Sequence, residues 1–180
     1  PLENYPKSVK KITIGSELNL SSFVKNAIDS GYRRAGNVMD IGEIAVRGGI
    51  VDIYSPSYNK PIRIDFFGDE VEDLKFFDPL TQLTNDLVKE ITILPISEVL
   101  LNDINISTFK NNYRKNFGNI STNDELFQSI SEGIRYPGLE HWLSFFYPKL
   151  ESIFDILDNH YFFVLDSEFD DFCNMRFDDI

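Results

Sequence analysis

The alternation of apolar and other residues between residues 42 and 78 constrains the fold more than any other feature of the sequence. Apolar residues recur at every second position on both sides of the Gly48-Gly49 pair, at Ile44, Val46, Val51 and Ile53. This period of two is typical of β-strands. Two adjacent glycines inside such a pattern predict either a bulge or a tight reversal.

A second strand is predicted from Pro61 to Phe67, where the alternation is strict. One set of side chains points to one face of the strand, namely Ile62, Ile64 and Phe66. The other set points to the opposite face, namely Arg63, Asp65 and Phe67. The sequence Gly68-Asp69-Glu70 predicts a turn, and the residues from Val71 to Phe77 predict a third strand.

The alternation also indicates a candidate contact surface. If the isoleucines face the core, Phe67 lies on the outer face beside Arg63, and Arg47 joins them if its strand pairs with theirs. Arginine and aromatic residues are enriched where proteins bind one another, so Arg47, Arg63 and Phe67 form a candidate contact patch. An outward Arg63 would add little to stability. In the alternative, Phe67 packs under a loop and Arg63 pairs with Asp65 or Glu70.

The sequence resembles a known family along four ordered pieces: GYRRAGNV (31–38), GEIAVRGGIVDIYSP (42–56), PIRIDFFGDEVEDLKFFDPLTQ (61–82) and ILPISEVL (93–100). They are similar to the N-terminal module of bacterial transcription-repair coupling factors, and a related stretch occurs in the excinuclease subunit UvrB. The resemblance implies a domain that binds UvrA, the damage-recognising subunit of nucleotide excision repair. It also implies that Arg47, Arg63 and Phe67 make the UvrA contact.

The pattern before and around these strands predicts a small α+β domain over residues 18–100, with four or five antiparallel strands and one helix. The helix is expected from Ser22 to Ser30, capped by Asn19 or Ser21, with Gly31 just beyond its end. Residues 81–86 are expected to be a polar loop, and residues 89–95 a last strand. Residues 1–17 are interpreted as a linker from a preceding lobe.

The pattern becomes helical after residue 101. Helices are predicted at 107–117, 123–132, 140–146 and 150–157, followed by a buried strand from Tyr161 to Asp166. The segment GIRYPGLEHWLSFFYPKLESIFDIL also resembles the coupling-factor family. The resemblance implies that residues 101–180 resume a degenerate helicase-like α/β lobe, equivalent to UvrB domain 1b, into which the small domain is inserted.

Sequence motifs for catalysis are missing. No GxxxxGK[ST] phosphate-binding loop occurs. The strand ending at Asp166 resembles the UvrB strand that carries an Asp-Glu pair, but Ser167 replaces the glutamate, which implies a decayed site. His141, His160 and Cys173 have no partners in the sequence that predict catalysis. We therefore expect no cofactor here, whereas the resemblance places ATP and magnesium in the motor domains of the full-length family protein.

The charge and the cysteine content restrict the partners. The 180 residues carry a formal net charge of −12, which argues against nucleic-acid binding by the whole chain. A single cysteine, Cys173, allows no internal disulfide and fits a reducing cytosol. No apolar run is long enough to predict a membrane span. We expect a monomeric piece of a longer protein.

Two functional hypotheses follow from the resemblance. The first is a non-catalytic interaction module that recruits UvrA to stalled RNA polymerase, within a full-length protein that also binds RNA polymerase and DNA. The alternative is part of a UvrB-like, ATP-dependent helicase core that loads onto damaged DNA.

Overall fold

The computed structural model describes residues 9–121, 123–157 and 164–178. The chain divides into two compact units, Pro1–Leu150 and Glu151–Ile180. The first unit contains a sheet region and a helical region, each with its own hydrophobic core.

Eight strands and one helix make up the sheet region. In chain order they are β1 (Lys10–Thr13), α1 (Leu20–Asp29), β2 (Arg33–Arg34), β3 (Glu43–Arg47), β4 (Ile50–Ile53), β5 (Ile62–Phe67), β6 (Glu70–Phe77), β7 (Thr84–Leu87) and β8 (Glu90–Ile93). Strands β2 to β7 form a six-stranded sheet in sequence order, and β1 pairs with β8 in a separate two-stranded sheet. Only the β2–β3 pair is parallel among the strand pairs of the described residues.

The inner face of the large sheet carries the core that the alternation predicts. Ile44, Val51, Ile53, Ile62 and Ile64 are completely buried, and they pack with Phe23, Val24 and Ala27 of α1. Asn19 caps the helix, because its side-chain oxygen accepts a hydrogen bond from the Ser22 backbone N–H at 3.0 Å. The α+β class predicted from the sequence is confirmed.

The Gly48-Gly49 pair makes a tight reversal between β3 and β4. Of the two predicted alternatives for these glycines, the reversal is therefore correct and the bulge is wrong. Gly48 has φ +59°, a conformation that side chains with a Cβ adopt rarely. A Cβ on Gly49 would lie 2.8 Å from the Phe66 carbonyl oxygen, so the hairpin needs glycine at both positions.

Two sequence-based predictions about this region are wrong. The segment 81–86, predicted as a polar loop, contributes to an additional strand, β7, whose four residues are all exposed. Its polar sequence TNDL gave no period-two signal because neither face of an exposed edge strand needs apolar side chains. The large sheet alone has six strands rather than four or five, including the two-residue β2.

The first residues of the described chain join the sheet region. Strand β1 pairs antiparallel with β8 over four residues, from Lys10 opposite Ile93 to Thr13 opposite Glu90. Ile12 is 1% exposed and belongs to the same core as the large sheet. The domain boundaries predicted after residues 17 and 100 remain predictions, but residues 10–13 pack with the strands that follow residue 18.

Helices dominate the rest of the first unit: α2 (Asp103–Phe117), α3 (Glu125–Ser131), a 3₁₀ helix (Leu139–Trp142) and α4 (Leu143–Phe146). Phe109 is completely buried at the centre of their aromatic core, with its ring 4.8 Å from that of Phe146. Helix α2 begins earlier than the predicted residue 107 because Asn102 caps it, accepting a hydrogen bond from the Asn105 N–H at 2.9 Å.

Arg135 joins the two regions of the first unit. Its Nη2 donates to the Asp29 carbonyl oxygen at 2.9 Å and to the Val99 carbonyl oxygen at 2.8 Å. Burial lowers the pKa of this guanidinium. The end of α1 is therefore linked to the segment that leads into the helical region.

The second unit contains helix α5 (Ile153–Ile156) and helix α6 (Phe169–Asp178). Tyr161 to Phe163 of the predicted buried strand lie outside the described residues. Val164 to Asp166 form no strand, and Val164 is 96% exposed, so that part of the prediction is wrong. Asp166 accepts a hydrogen bond from the Glu168 N–H at 3.0 Å, as a residue that caps a turn does.

Candidate protein-interaction site

The outer face of the large sheet presents all three residues of the candidate contact patch. Strands β3, β4 and β5 are neighbours, and Arg47 lies opposite Ile50, which in turn lies opposite Asp65. The alternation that buries Ile62, Ile64 and Phe66 directs Arg63 and Phe67 to this outer face. The pairing on which the inclusion of Arg47 depended is therefore present.

Arg63 is held by a buried carboxylate on the neighbouring strand. Its Nε donates to Asp52 Oδ1 at 2.7 Å and its Nη2 donates to Asp52 Oδ2 at 2.9 Å. This is the bidentate geometry that makes guanidinium-carboxylate pairs strong and directional. The Arg63 side chain is 17% exposed and that of Asp52 only 2%. The hydrogen bonds from Arg63 to Asp52 raise the pKa of the guanidinium, which stays charged.

A buried aromatic ring supports Arg63 from the other side. The guanidinium carbon lies 4.9 Å from the centre of the Phe77 ring, within the range of a cation–π contact. Phe77 itself is completely buried in a small second core with Val38 and Ala45. Arg63 lies on the outer face as predicted, but the expectation that it would add little to stability is wrong, because two partners fix this arginine and it is mostly covered.

Arg47 is the more accessible of the two arginines. Its side chain is 44% exposed, and its Nη1 lies 3.7 Å from Asp52 Oδ2. Its Nη2 donates to the Gly36 carbonyl oxygen at 2.9 Å and to Asn37 Oδ1 at 2.6 Å. These contacts fix the guanidinium against the bend after β2 while leaving other N–H groups directed away from them.

Phe67 is 78% exposed at the end of β5, opposite Glu70. It does not pack under a loop, so this part of the alternative interpretation is wrong. Aromatic side chains are enriched at protein interfaces, so an exposed Phe67 stays a candidate contact residue. Along an extended strand Phe67 lies about 13 Å from Arg63, so the two residues mark opposite ends of one surface rather than a single contact.

The charges on the outer face balance one another. Lys75 Nζ bonds Asp65 at 2.7 Å and Asp73 at 2.9 Å, which raises the pKa of the lysine. Together with Asp52 and the two arginines, these groups make three cations and three carboxylates. In a chain of net charge −12 these six side chains together are locally neutral. The other alternative, an Arg63–Asp65 pair, is replaced by separate pairs with different partners.

Sequence reasoning missed two residues of this surface. Asp52 lies directly opposite Arg63, and Ile50 lies between Arg47 and Asp65 with 38% of its surface exposed. An acidic residue between Val51 and Ile53 was the available signal, because opposite charges are favourable as cross-strand neighbours. The long connection from residue 54 to residue 61 hid the register that makes the pair.

Other chemistry is sparse in the part of the chain that the structure describes. Within residues 9–121, 123–157 and 164–178, no group of three histidine, cysteine or carboxylate side chains could hold a metal ion. His141 is an exposed residue of the 3₁₀ helix, and Cys173 lies in α6. His160 lies outside the described residues. None of the described helices is both long and apolar enough to cross a membrane.

Comparison with known families decides the identity of the sheet region. The family described as the UvrB interaction domain matches residues 11–98, from within β1 to the end of the segment after β8. Residues 11–98 therefore belong to the UvrB interaction domain family. The domain contains the whole outer face of the large sheet, including Arg47, Asp52, Arg63 and Phe67.

Relatives that match this chain include bacterial transcription-repair-coupling factors. The chain is 35% identical to that of Rickettsia bellii over 88% of its own length and 14% of the relative. It is 36% identical to that of Haemophilus influenzae and 31% identical to that of Escherichia coli, in both cases over 75% of its length and 12% of theirs. The chain thus spans about one seventh of the length of the relatives that it matches.

Proposed function

We propose that this chain is a non-catalytic interaction module that recruits UvrA to sites of stalled transcription. The observation that carries the proposal is the position of Arg47 and Phe67, exposed on one face of a UvrB interaction domain. The names of the relatives, which are transcription-repair-coupling factors, support the pathway. The proposed contact is made by the contact patch of Arg47, Arg63 and Phe67.

The two ends of the patch supply different interactions. Arg47 offers guanidinium N–H groups to a carboxylate of UvrA, with the donor geometry already fixed by Gly36 and Asn37. Phe67 supplies apolar area that the partner would remove from water. Because Arg47 lies level with Asp65, two residues from Phe67 along the strands and two strands away, the partner surface must present an acidic group and an apolar pocket roughly 12 Å apart.

In the longer protein the module would act alongside other activities. We propose that binding of RNA polymerase and DNA, and ATP hydrolysis with magnesium, belong to parts of the full-length protein beyond these 180 residues. The support for this division is that the chain corresponds to only 12–14% of its relatives.

Replacement of Phe67 by alanine tests the proposal most directly. We expect F67A to weaken UvrA binding by about 2 kcal/mol, roughly thirtyfold, because truncation of an aromatic anchor removes the area that it buries against the partner. The melting temperature should stay unchanged, since Phe67 is 78% exposed. The measurement is calorimetric titration of the chain with purified UvrA, beside thermal melts.

Leu80 provides the matched control, because it is 79% exposed and lies outside the contact patch. The L80A variant should bind UvrA as tightly as the unchanged chain does. Absence of UvrA binding by the unchanged chain, or equal affinities of F67A and L80A, would overturn the assignment.

A further inference from the structure

Both arginines of the contact patch converge on one buried carboxylate. Asp52 Oδ2 accepts from Arg63 Nη2 at 2.9 Å and lies 3.7 Å from Arg47 Nη1, while Oδ1 accepts from Arg63 Nε at 2.7 Å. The Asp52 side chain is 2% exposed, so it cannot itself form the surface that a partner meets. Its effect on a partner must pass through the arginines.

The position of Asp52 in the sheet makes it a rigid support. It lies on β4, between Ala45 of β3 and Arg63 of β5 in the strand register. A residue in a central strand with neighbours on both sides has little freedom to move. A guanidinium that forms two parallel hydrogen bonds with such a carboxylate is fixed in plane as well as in position.

We propose that Asp52 is a positioning residue for UvrA recognition: this one buried carboxylate sets the plane of the Arg63 guanidinium and, through its ion pair with Arg47, acts with Gly36 and Asn37 to hold the Arg47 guanidinium toward the partner. The inference rests on the proposed function. In it, Asp52 and Arg63 form a fixed base, and Arg47, which is 44% exposed, extends beside that base toward UvrA. Preorganised donors lose less conformational freedom on binding than free side chains do.

A charge effect and a positioning effect predict opposite changes in the affinity for UvrA when Asp52 is replaced. Asp52→Asn removes a negative charge next to two arginines, so simple attraction to an acidic partner surface would become stronger. Positioning predicts weaker binding, because the amide nitrogen cannot accept the hydrogen bond from Arg63 Nη2, so that the Arg63 guanidinium plane is released and Arg47 loses its ion pair. The direction of the change in affinity therefore separates the two.

Asp65 provides a matched control on the same face. It pairs with Lys75 at 2.7 Å rather than with an arginine, and its replacement Asp65→Asn changes the net charge by the same amount. The experiment is calorimetric titration of the full 180-residue chain and each variant with purified UvrA. We expect Asp52→Asn to weaken binding by about tenfold or more and Asp65→Asn to leave it within about twofold.

A second measurement needs neither the partner nor a variant. NMR spectra of the arginine Nε–H groups should show slow hydrogen exchange and restricted motion for Arg63, with exposed Arg34 exchanging faster in the same sample. If Arg63 exchanges as fast as Arg34, the proposal is overturned, even where Asp52→Asn fails to fold. Arg63→Lys should also weaken UvrA binding while keeping the charge, since an ammonium cannot span both carboxylate oxygens.

The outcomes distinguish this inference from the proposed function. If the unchanged chain binds UvrA and Asp52→Asn binds equally well or more tightly, Asp52 has no positioning role and recruitment of UvrA stands. If the unchanged chain does not bind UvrA, the proposed function fails and this inference fails with it. Weakening by Asp52→Asn but not by Asp65→Asn, with a protected Arg63 Nε–H, supports the inference.

Discussion

Asp52 carries a negative charge at a position that water hardly reaches, and Arg63 provides the charge that compensates for it. Removing one partner of such a pair is far more costly than removing both, because an uncompensated buried charge remains. Arg63 thus contributes to folding as well as to the proposed binding surface. A binding experiment that uses Arg63→Ala alone cannot distinguish a lost contact from a weakened fold.

We predict that Arg63→Ala lowers the free energy of unfolding by about 3 kcal/mol, at the low end for buried pairs because Arg47 remains 3.7 Å from Asp52. Urea unfolding at neutral pH measures the loss. The double variant Asp52→Ala/Arg63→Ala should be more stable than Arg63→Ala alone. Equal stability of Arg63→Ala and the unchanged chain would mean that the Asp52–Arg63 pair does not form in solution.

Glu43 is a second carboxylate whose hydrogen-bond partners affect the stability of the fold. Its Oε2 accepts from the Met39 N–H at 2.8 Å and the Asp40 N–H at 3.0 Å, and its Oε1 accepts from Arg33 Nη2 at 2.8 Å. The hydrogen bonds from the Met39 and Asp40 backbone, followed by the contact with Arg33, lower the pKa of Glu43 below its ordinary value of 4.5. The folded protein therefore binds this proton less readily than the unfolded chain does.

From this shift we predict a pH-dependent loss of stability in Glu43→Gln. At pH 7 the variant should unfold about 1 kcal/mol more easily than the unchanged chain, because charge-assisted hydrogen bonds are lost. A lowered folded pKa gives stability that is fully present above 4.5 and is lost as the pH falls through the folded pKa. The difference between the two proteins should therefore shrink in acid. Urea unfolding across acidic pH tests this, with exposed Glu72→Gln as a variant that should show no such trend.

At the scale of elements, strand β1 has a role that the sequence did not predict. Its side chains are exposed except that of Ile12, which packs into the core of the large sheet. One buried side chain on a four-residue strand concentrates the apolar contribution of that strand in a single residue. The following residues add backbone hydrogen bonds, such as that from the Gly15 N–H to the Val71 carbonyl oxygen at 2.8 Å.

We predict that Ile12→Ala lowers the free energy of unfolding by about 3 kcal/mol, the cost of a cavity at a completely buried isoleucine. Ile14→Ala, two residues later at a site 42% exposed, should change it by less than about 0.5 kcal/mol. Chemical unfolding of both variants gives the comparison. If residues 1–17 were only a linker, the two replacements would have the same small effect.

The elements that the sequence predicted well are those with one buried face. The alternation from Ile62 to Phe67 and the apolar stripe of α1 both reflect a core on one side. Strand β7 could not be predicted in this way, since none of its residues is buried. The pairing of β1 with β8 joins residues about 80 positions apart, and no local pattern encodes such a contact.

The contact patch was predictable only in part. Period-two alternation and the resemblance indicated which side chains share the outer face. They gave no information on whether an arginine there is free or bound, because that depends on the strand register opposite it. The register between β4 and β5 places Asp52 against Arg63 and so changes the interpretation of Arg63.

At the scale of the whole molecule, the charge of −12 is the dominant property. On the outer face, Arg47, Arg63 and Lys75 are each paired with a carboxylate. Such a surface offers little attraction to a phosphate backbone, whose binding requires an excess of clustered lysine and arginine.

We therefore predict that the chain binds duplex DNA no more tightly than about 0.1 mM at physiological salt, which is the weak end of non-specific binding. Gel-shift or anisotropy titration with labelled duplex measures this. A midpoint in the micromolar range that weakens steeply with added salt would contradict the prediction, and would direct attention to the basic residues Arg33 and Arg34 of β2.

The pairing of β1 with β8 has a consequence for how the sheet region can be built into larger proteins. Lys10 and Ile93 are neighbours across the two strands, so the chain enters and leaves the region at points about 5 Å apart. Because the two ends are this close, a host protein could accept the region at a single surface turn with little loop-closure entropy lost. The proposed recognition surface is thus transferable between unrelated frameworks, and grafting residues 10–93 into a surface loop of a stable carrier should carry the proposed UvrA contact with it.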